Sequence, residues 1–367
     1  MIKEEIFLKK RILLTSQNED NIKALYDYYK KHIKESRADI KVEYSNFYKY
    51  KNNKLMYYFL RVSQMLKNYS VVISDYTTSI FSKAQNGVFM SHGYGTKKSP
   101  GNSELSNKKE MDLYKGIRTK IKNIVTLSKR DSTYFLRSTE LDEEPLPNYM
   151  PLGLPRNDML FDKEYTSECR NKFNIKYGTK GKKILLFCPT WRGYKIDKEF
   201  PITEKDWIRF DKFMEEKDWK MIYRPHPLER LVDDKTFGNM RNILIMDFKN
   251  EESTQSILAI TDMLLTDYSS IYVDYLALNR PICFLPYDLV QYDKERGLAI
   301  DFRKDVDTPG PKLNDMDDLI DYVKNVSLGD DKFREIRKAA QRNFYQYLDG
   351  DSCKRVWEFI LKLVDKK

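Results

Sequence analysis

At 367 residues the chain is too long for one ordinary hydrophobic core and long enough for two domains that each bury their own. Its 41% hydrophobic and 33% charged residues exclude a disordered chain, and no apolar run approaches the roughly 20 residues that cross a bilayer as a helix. Lys and Arg outnumber Asp and Glu by 65 to 55; the formal charge of +10 favours anionic partners such as a nucleotide, a phosphate polymer or an acidic membrane surface, or else reflects solvated lysines.

The amino terminus mixes acids and bases, and Lys9, Lys10 and Arg11 break its apolar run, so it does not read as a signal peptide. Short β-rich runs over residues 11–16, 40–44, 70–75, 87–91 and 123–128 alternate with longer amphipathic stretches, the βαβ rhythm of a parallel sheet covered by helices. His32, set among Lys30, Lys31 and Lys34, reads as a solvated helix position. Residues 97–122 form a polar, Lys-rich connection. Its Lys108, Lys109, Lys115, Arg118, Lys120 and Lys122 suit an anionic membrane surface, while Tyr114, Ile117 and Ile121 either insert there or pack on the first domain. The stretch NYMPLGLPRND at 148–158 reads as the hinge, and a charged helix is predicted over 165–174.

The second half repeats the rhythm, with strands predicted over 183–188, 220–224, 242–246, 262–266 and 281–286. Residues 332–366 have helical spacing interrupted by Gly350-Asp351, so two helices are expected. Phe344, Tyr347 and Leu348 would cluster on the first, and Val356, Phe359, Ile360 and Leu363 would form a stripe on the second. Cys169, Cys188, Cys283 and Cys353 have no paired spacing, which points to a reducing compartment.

Two of the three histidines stand in loops at predicted strand ends, His92 in Ser91-His92-Gly93 and His226 in Arg224-Pro225-His226-Pro227. Histidine exchanges a proton near neutrality, and prolines around it stiffen the loop that presents it. Thr266-Asp267-Tyr268-Ser269-Ser270 runs from a strand into a helix marked by Ile271, Tyr275 and Leu278. Its hydroxyls either help a helix terminus hold phosphate or merely cap that helix. Asp274, one turn further, suits a ribose hydroxyl or the surface. Arg192, in Pro189-Thr190-Trp191-Arg192-Gly193, would offer a planar fork to a phosphate, and Arg224 lies beside His226. There is no Gly-rich phosphate loop ending in Lys-Ser/Thr, no HExxH, no paired CxxC and no carboxylate cluster set for a divalent ion, so no metal is expected. No nucleic-acid-binding signature accompanies the positive charge.

Taken in order, SHGYGTKK at 91–98, GLPRND at 153–158, PTWRG at 189–193, RPHP at 224–227, LLTDYSSIYVDY at 264–275, RPICFLPYDLVQYDKERGLAIDF at 280–302 and DGDSCKR at 349–355 resemble the CDP-glycerol glycerophosphotransferase family of teichoic acid polymerases, primases and related capsule enzymes. The resemblance covers the chain from about residue 70 onward. It implies an α/β, GT-B-like enzyme in which two Rossmann-like domains, 1–153 on the acceptor side and 154–345 on the CDP-donor side, face across a cleft. A final helix, 346–367, crosses back to the first. The implied reaction moves a polyol phosphate, glycerol phosphate first and ribitol phosphate as the alternative, from a CDP-activated substrate to an acceptor hydroxyl. No cofactor is implied.

The functional histidines would be His92, favoured as base, and His226. Arg156, Arg192, Arg224, Thr266, Asp267, Ser269, Ser270 and Asp274 would lie around the donor, and Tyr94, Lys97 and Lys98 on the acceptor side. The implied partners are a polymeric or lipid-linked acceptor and an anionic membrane surface, with the protein peripheral on its cytoplasmic face. A GT-B glycosyltransferase using a nucleotide sugar, an epimerase of the same architecture and a basic binding module are the competing classes.

Overall fold

The computed structural model describes residues 10–17, 20–47, 53–76, 79–91, 93–98, 102, 121–138, 147–197, 199–226, 231–247 and 252–366. Among these, β1 (Lys10–Ser16), β2 (Ile40–Asn46), β3 (Tyr69–Ser74), β4 (Ala84–Met90), β5 (Asn123–Thr126) and β6 (Asn148–Pro151) form one sheet in the order β2-β1-β3-β4-β5-β6, with every pairing parallel. Continuous burial along Ile12, Leu13 and Leu14 marks β1 as a central strand covered on both faces. The short β6 occupies part of the stretch read as a hinge: Asn148 to Pro151 pair with Asn123 to Thr126. Periodicity missed it because the strand is four residues long and ends in proline, which the end of an edge strand tolerates.

The second sheet contains β7 (Lys183–Cys188), β8 (Trp219–Tyr223), β9 (Ile243–Ile245), β10 (Met263–Thr266) and β11 (Ile282–Phe284), all parallel, in the order β11-β10-β7-β8-β9. Residues of β7 alternate between two cores. Ile184 and Leu186 join Leu264, Ile282 and Tyr272 on one face, whereas Leu185 and Phe187 join Trp207, Trp219, Met221 and Cys283 on the other. The helix Met316–Ser327, which no sequence signal had marked, seals the latter core with Leu319, Ile320 and Val323. The predicted charged helix extends over Lys163–Tyr177, held by an Asp162 side-chain cap at its start and a left-handed Gly178 at its end.

The two terminal helices are Arg334–Phe344 and Ser352–Asp365, parted at Gly350 with φ 75°. Phe344 is buried, but Tyr347 and Leu348 lie between the helices with 41% exposure, so the expected cluster of three does not form. The last helix lies on the first sheet. Val356, Trp357 and Ile360 join Ile12, Leu14, Val71 and Ile73, the Trp357 ring packs 5.4 Å from Tyr29, and its Nε1 donates to the Leu25 carbonyl at 2.9 Å. The Asp158 carboxylate holds that helix's amino end, accepting from the backbone N–H groups of Ser352 (2.9 Å) and Cys353 (2.6 Å).

Candidate active site

In the second sheet the strand order reverses between β7 and β10, and in an open parallel sheet this reversal leaves a crevice beyond the carboxyl ends. The loops entering it are those after β7 (Pro189 to Gly193), β8 (Arg224 to His226) and β10 (Asp267 to Ser270). Asp267 ties two of them together: its carboxylate accepts from the backbone N–H of Thr190 (2.8 Å) and of Tyr268 (2.6 Å) and from Arg192 (2.7 Å).

Arg192 is not open to a ligand. Its guanidinium donates to both oxygens of Asp288 (2.8 and 3.0 Å), to Asp267 and to the Thr190 carbonyl (2.6 Å), among the rings of Tyr268, Tyr287 and Tyr292 at 5.1–5.3 Å. Burial alone would lower its pKa, but Asp267 and Asp288 raise it above the ordinary arginine value. The sequence expectation of a diphosphate contact therefore gives way to an internal ion cluster. Its second carboxylate, Asp288, stands just beyond β11 and had not been singled out, because an aspartate after Pro-Tyr carries no motif of its own.

Arg156 and Asp274 are likewise turned to each other. Arg156 donates to both Asp274 oxygens (3.1 and 2.9 Å) and to Asp20 (3.3 Å), and Asn157 adds a bond to Asp274 (2.9 Å). The cluster joins the first sheet's opening helix to the helix Ile271–Tyr275, which makes it a clasp between the halves rather than a ribose contact. Thr266 donates its hydroxyl to the Cys188 carbonyl at 2.6 Å, a strand-to-strand bond.

The remaining groups face the crevice loops. The His226 ring stacks on Trp191 at 5.9 Å, and the Arg296 guanidinium lies over Trp191 at 5.7 Å. Gly193 permits this, since at φ 71° a Cβ there would meet the Trp191 ring at 2.2 Å. Arg224 is buried, and burial lowers its pKa against the attraction of Cys188, Glu252 and Asp247. Ser269 Oγ accepts a long bond from Ile271 N (3.4 Å), and Ser270 caps its helix by position but makes no side-chain capping bond. That helix has only five residues, so the expected dipole at its amino end is small.

His92 lies outside the described residues; Ser91 and Gly93 on either side of it are described. The Ser91 carbonyl accepts from Asn21 (3.0 Å), and a Cβ on Gly93 would stand 2.9 Å from Ser270 Oγ. The loop after β4 thus reaches the β10 loop of the other sheet. It continues across: Ala299 N donates to Thr96 O (2.9 Å) and Lys98 N to Gly297 O (3.1 Å). Tyr94 is buried edge-on to Phe344 at 5.0 Å, in the second half's core rather than open to an acceptor. Of the proposed membrane segment only Ile121 and Lys122 are described; Ile121 is buried in the first half and Lys122 donates to the Gln85 carbonyl. His32 is exposed, its ring against Tyr28. Among the described residues no cluster of three or more His, Cys, Asp or Glu is placed for a metal ion, and no helix is long and apolar enough to cross a membrane.

Two parallel α/β units whose carboxyl-edge loops meet define a GT-B-like fold. The chain belongs to the CDP-glycerol:poly(glycerophosphate) glycerophosphotransferase family, whose model matches residues 2–362. It is 31% identical over 228 residues to the teichoic acid ribitol-phosphate primase of Bacillus spizizenii, covering 62% of this chain and 56% of that protein. It is 25% identical over 375 residues to the teichoic acid glycerol-phosphate transferase of Staphylococcus aureus, covering 94% and 90%. The chain spans about half the length of the first curated relatives it matches. In fold it is similar to the wall teichoic acid polymerase TagF, with a TM-score of 0.73 at 21% identity over 97% of this chain and 89% of that one. It is less similar to S. aureus MnaA bound to UDP, with a TM-score of 0.57 at 15% identity over 98% of each chain.

Proposed function

We propose that the chain transfers a polyol-phosphate unit, glycerol phosphate, from a CDP-activated donor to an acceptor hydroxyl in the synthesis of a teichoic acid-like or capsular polymer. The observation that carries this reading is the meeting of Gly93 with Ser270 at the crevice where the loops after β7, β8 and β10 converge. The acceptor oxygen attacks the phosphorus that bears the polyol, the bond from that phosphorus to the bridging oxygen breaks, and CMP leaves with the electron pair. The acceptor's proton passes to a base, assigned to His92. His226, held by Trp191, contacts the leaving phosphate, and Arg224 and Arg296 supply the positive charge that the developing phosphate charge requires. No cofactor enters, so turnover is expected to survive chelation by EDTA.

Release of CMP from CDP-glycerol and from CDP-ribitol, each with and without an oligomeric or lipid-linked polyol-phosphate acceptor, tests the reading. Acceptor-dependent release from CDP-glycerol is expected. Release from CDP-ribitol alone would transfer the assignment to the second polyol, which the identity to a ribitol-phosphate primase favours as the alternative. Release from neither would end the reading.

Attachment to the cytoplasmic face of an anionic membrane belongs to the same proposal, since a lipid-linked acceptor lies there. Its support is the helix Lys54–Met65, along which Leu55, Tyr58, Phe59 and Val62, followed by Leu66, form an exposed apolar face beside Lys54 and Arg61. Leu55→Glu with Phe59→Glu is expected to abolish co-sedimentation with anionic vesicles while leaving CMP release with a soluble acceptor intact. Unchanged sedimentation would exclude this face.

A further inference from the structure

Lys97 belongs to the first half by sequence and to the second by structure. The segment Thr96–Lys98 adds to the stretch after Leu289–Glu295 through an antiparallel bridge between Lys97 and Leu298, flanked by the Thr96–Ala299 and Lys98–Gly297 backbone bonds. Asn102 reinforces the junction by donating to the carbonyls of Asp293 (3.1 Å) and Lys294 (3.2 Å). The charges that act on the Lys97 ammonium are Asp267, Arg296 and Arg192, together with the Cys188 thiol. Asp267 is already engaged by Arg192 and two backbone N–H groups, and Lys97 forms no ion pair or hydrogen bond of its own with the described residues. Two buried hydroxyls on the same loops, Thr96 Oγ1 and Thr190 Oγ1, also lack a partner among the described residues.

A cation with no ion pair or hydrogen bond to the described residues, and two unfilled hydroxyls, one next to it in sequence and one on the loop that Asp267 holds, make an unfinished anion site at the crevice where the strand order reverses. We propose that Lys97, carried on the acceptor-side loop, binds the diphosphate of the nucleotide donor, with Thr96 and Thr190 as its hydroxyl partners. The assignment rests on the donor reading above and moves Lys97 from the acceptor side expected from sequence to the donor. It also makes the segment Thr96–Lys98 part of the donor site.

Burial lowers the Lys97 pKa to about 8, with Arg296 and Arg192 adding to the fall and Asp267 and Cys188 opposing it. A bound diphosphate would favour the charged form. Donor binding should therefore take up a proton near and above pH 8, and affinity should fall as pH rises, by about tenfold between pH 7 and 9.

Titration calorimetry of the full chain with CDP, and with cytidine as the phosphate-free control, tests this. Lys97→Met is expected to weaken CDP by about 10- to 100-fold without changing cytidine binding. It should not lower the thermal midpoint of the unliganded protein, because Lys97 is partly buried and makes no ion pair or hydrogen bond with the described residues. Lys97→Arg, charged throughout, should retain CDP binding and lose the decline between pH 7 and 9. Lys97→Gln serves as a second neutral variant. CDP affinity in Lys97→Met or Lys97→Gln equal to that of the native chain would overturn the role of Lys97 while leaving the donor reading standing. Failure of the native chain to bind CDP at all would overturn both.

Discussion

Replacing Arg192 with methionine separates the internal role seen in the structure from the donor contact suggested by the sequence. The side chain is fully buried, and its hydrogen bonds include three to carboxylate oxygens and one to a carbonyl. Methionine fills much of the same volume but leaves Asp288, itself fully buried, and Asp267, at 3% exposure, without their cation. Breaking one buried ion pair costs about 3–5 kcal/mol, and with two carboxylates on one guanidinium the upper end applies. At about 2–4 °C per kcal/mol for a unit of this size, the thermal midpoint should fall by about 10–20 °C. Arg192→Lys should recover little of it, because a single ammonium cannot reproduce the fork that reaches both oxygens of Asp288 and still serve Asp267 and Thr190. Scanning calorimetry and urea unfolding provide the measurement, with CDP calorimetry alongside. A variant as stable as the native chain that has lost CDP affinity would refute the reasoning and restore Arg192 to the donor.

Trp357→Ala should cost about 3–5 kcal/mol in urea unfolding, since it empties the contact with Tyr29 and removes the bond to the Leu25 carbonyl; a loss under about 1 kcal/mol would mean that the last helix is not held by this residue. Ser270→Ala should leave stability within about 0.5 kcal/mol, because the hydroxyl makes no capping bond, yet weaken donor binding by about 1.5–3 kcal/mol in calorimetry; the opposite pattern would make it a structural cap. Burial pushes the Asp158 carboxyl up to about 6, against the backbone N–H groups of Cys353 and Ser352. Its folded-state pKa is raised, so its favourable contribution is complete below about pH 4 and is lost as pH rises through 6. Asp158→Asn should therefore flatten the fall of unfolding free energy between pH 4 and 6, and parallel slopes in the two proteins would contradict the shift.

Apart from β6, the strands of both sheets are legible in the sequence because buried parallel strands are short apolar runs with little else to resemble, as Leu13-Leu14 and Leu185-Leu186 show. The sequence located the loops of the crevice for the same reason, since each follows such a run. What it could not convey is which polar groups face a ligand and which face one another. Arg192 and Asp288 are 96 residues apart, and Arg156 and Asp274 are 118 apart, so nothing local distinguishes either pair from surface charges or from phosphate contacts. Chain order assigns the Lys97 loop to the first half, whereas two backbone bonds carry it across to the second, a contact that nothing local in the sequence signals. The family resemblance puts Tyr94 on the acceptor side by its place in the motif, which says nothing of burial; its ring packs in a core against Phe344.

The placement of the last helix bears on how the polypeptide is made. The first half emerges early from a ribosome, but the apolar surface over Ile12, Leu14, Tyr29 and Val71 is covered by Val356, Trp357 and Ile360, which are translated only after the whole second half. Until then that surface has no native cover, and the nascent chain carries it for the time needed to add 285 to 348 further residues, tens of seconds at about 5–20 residues per second. A premature stop between Tyr345 and Ser352 would release a product whose second half keeps its core residues and whose first half remains open, a substrate for chaperones and proteases rather than a shortened enzyme.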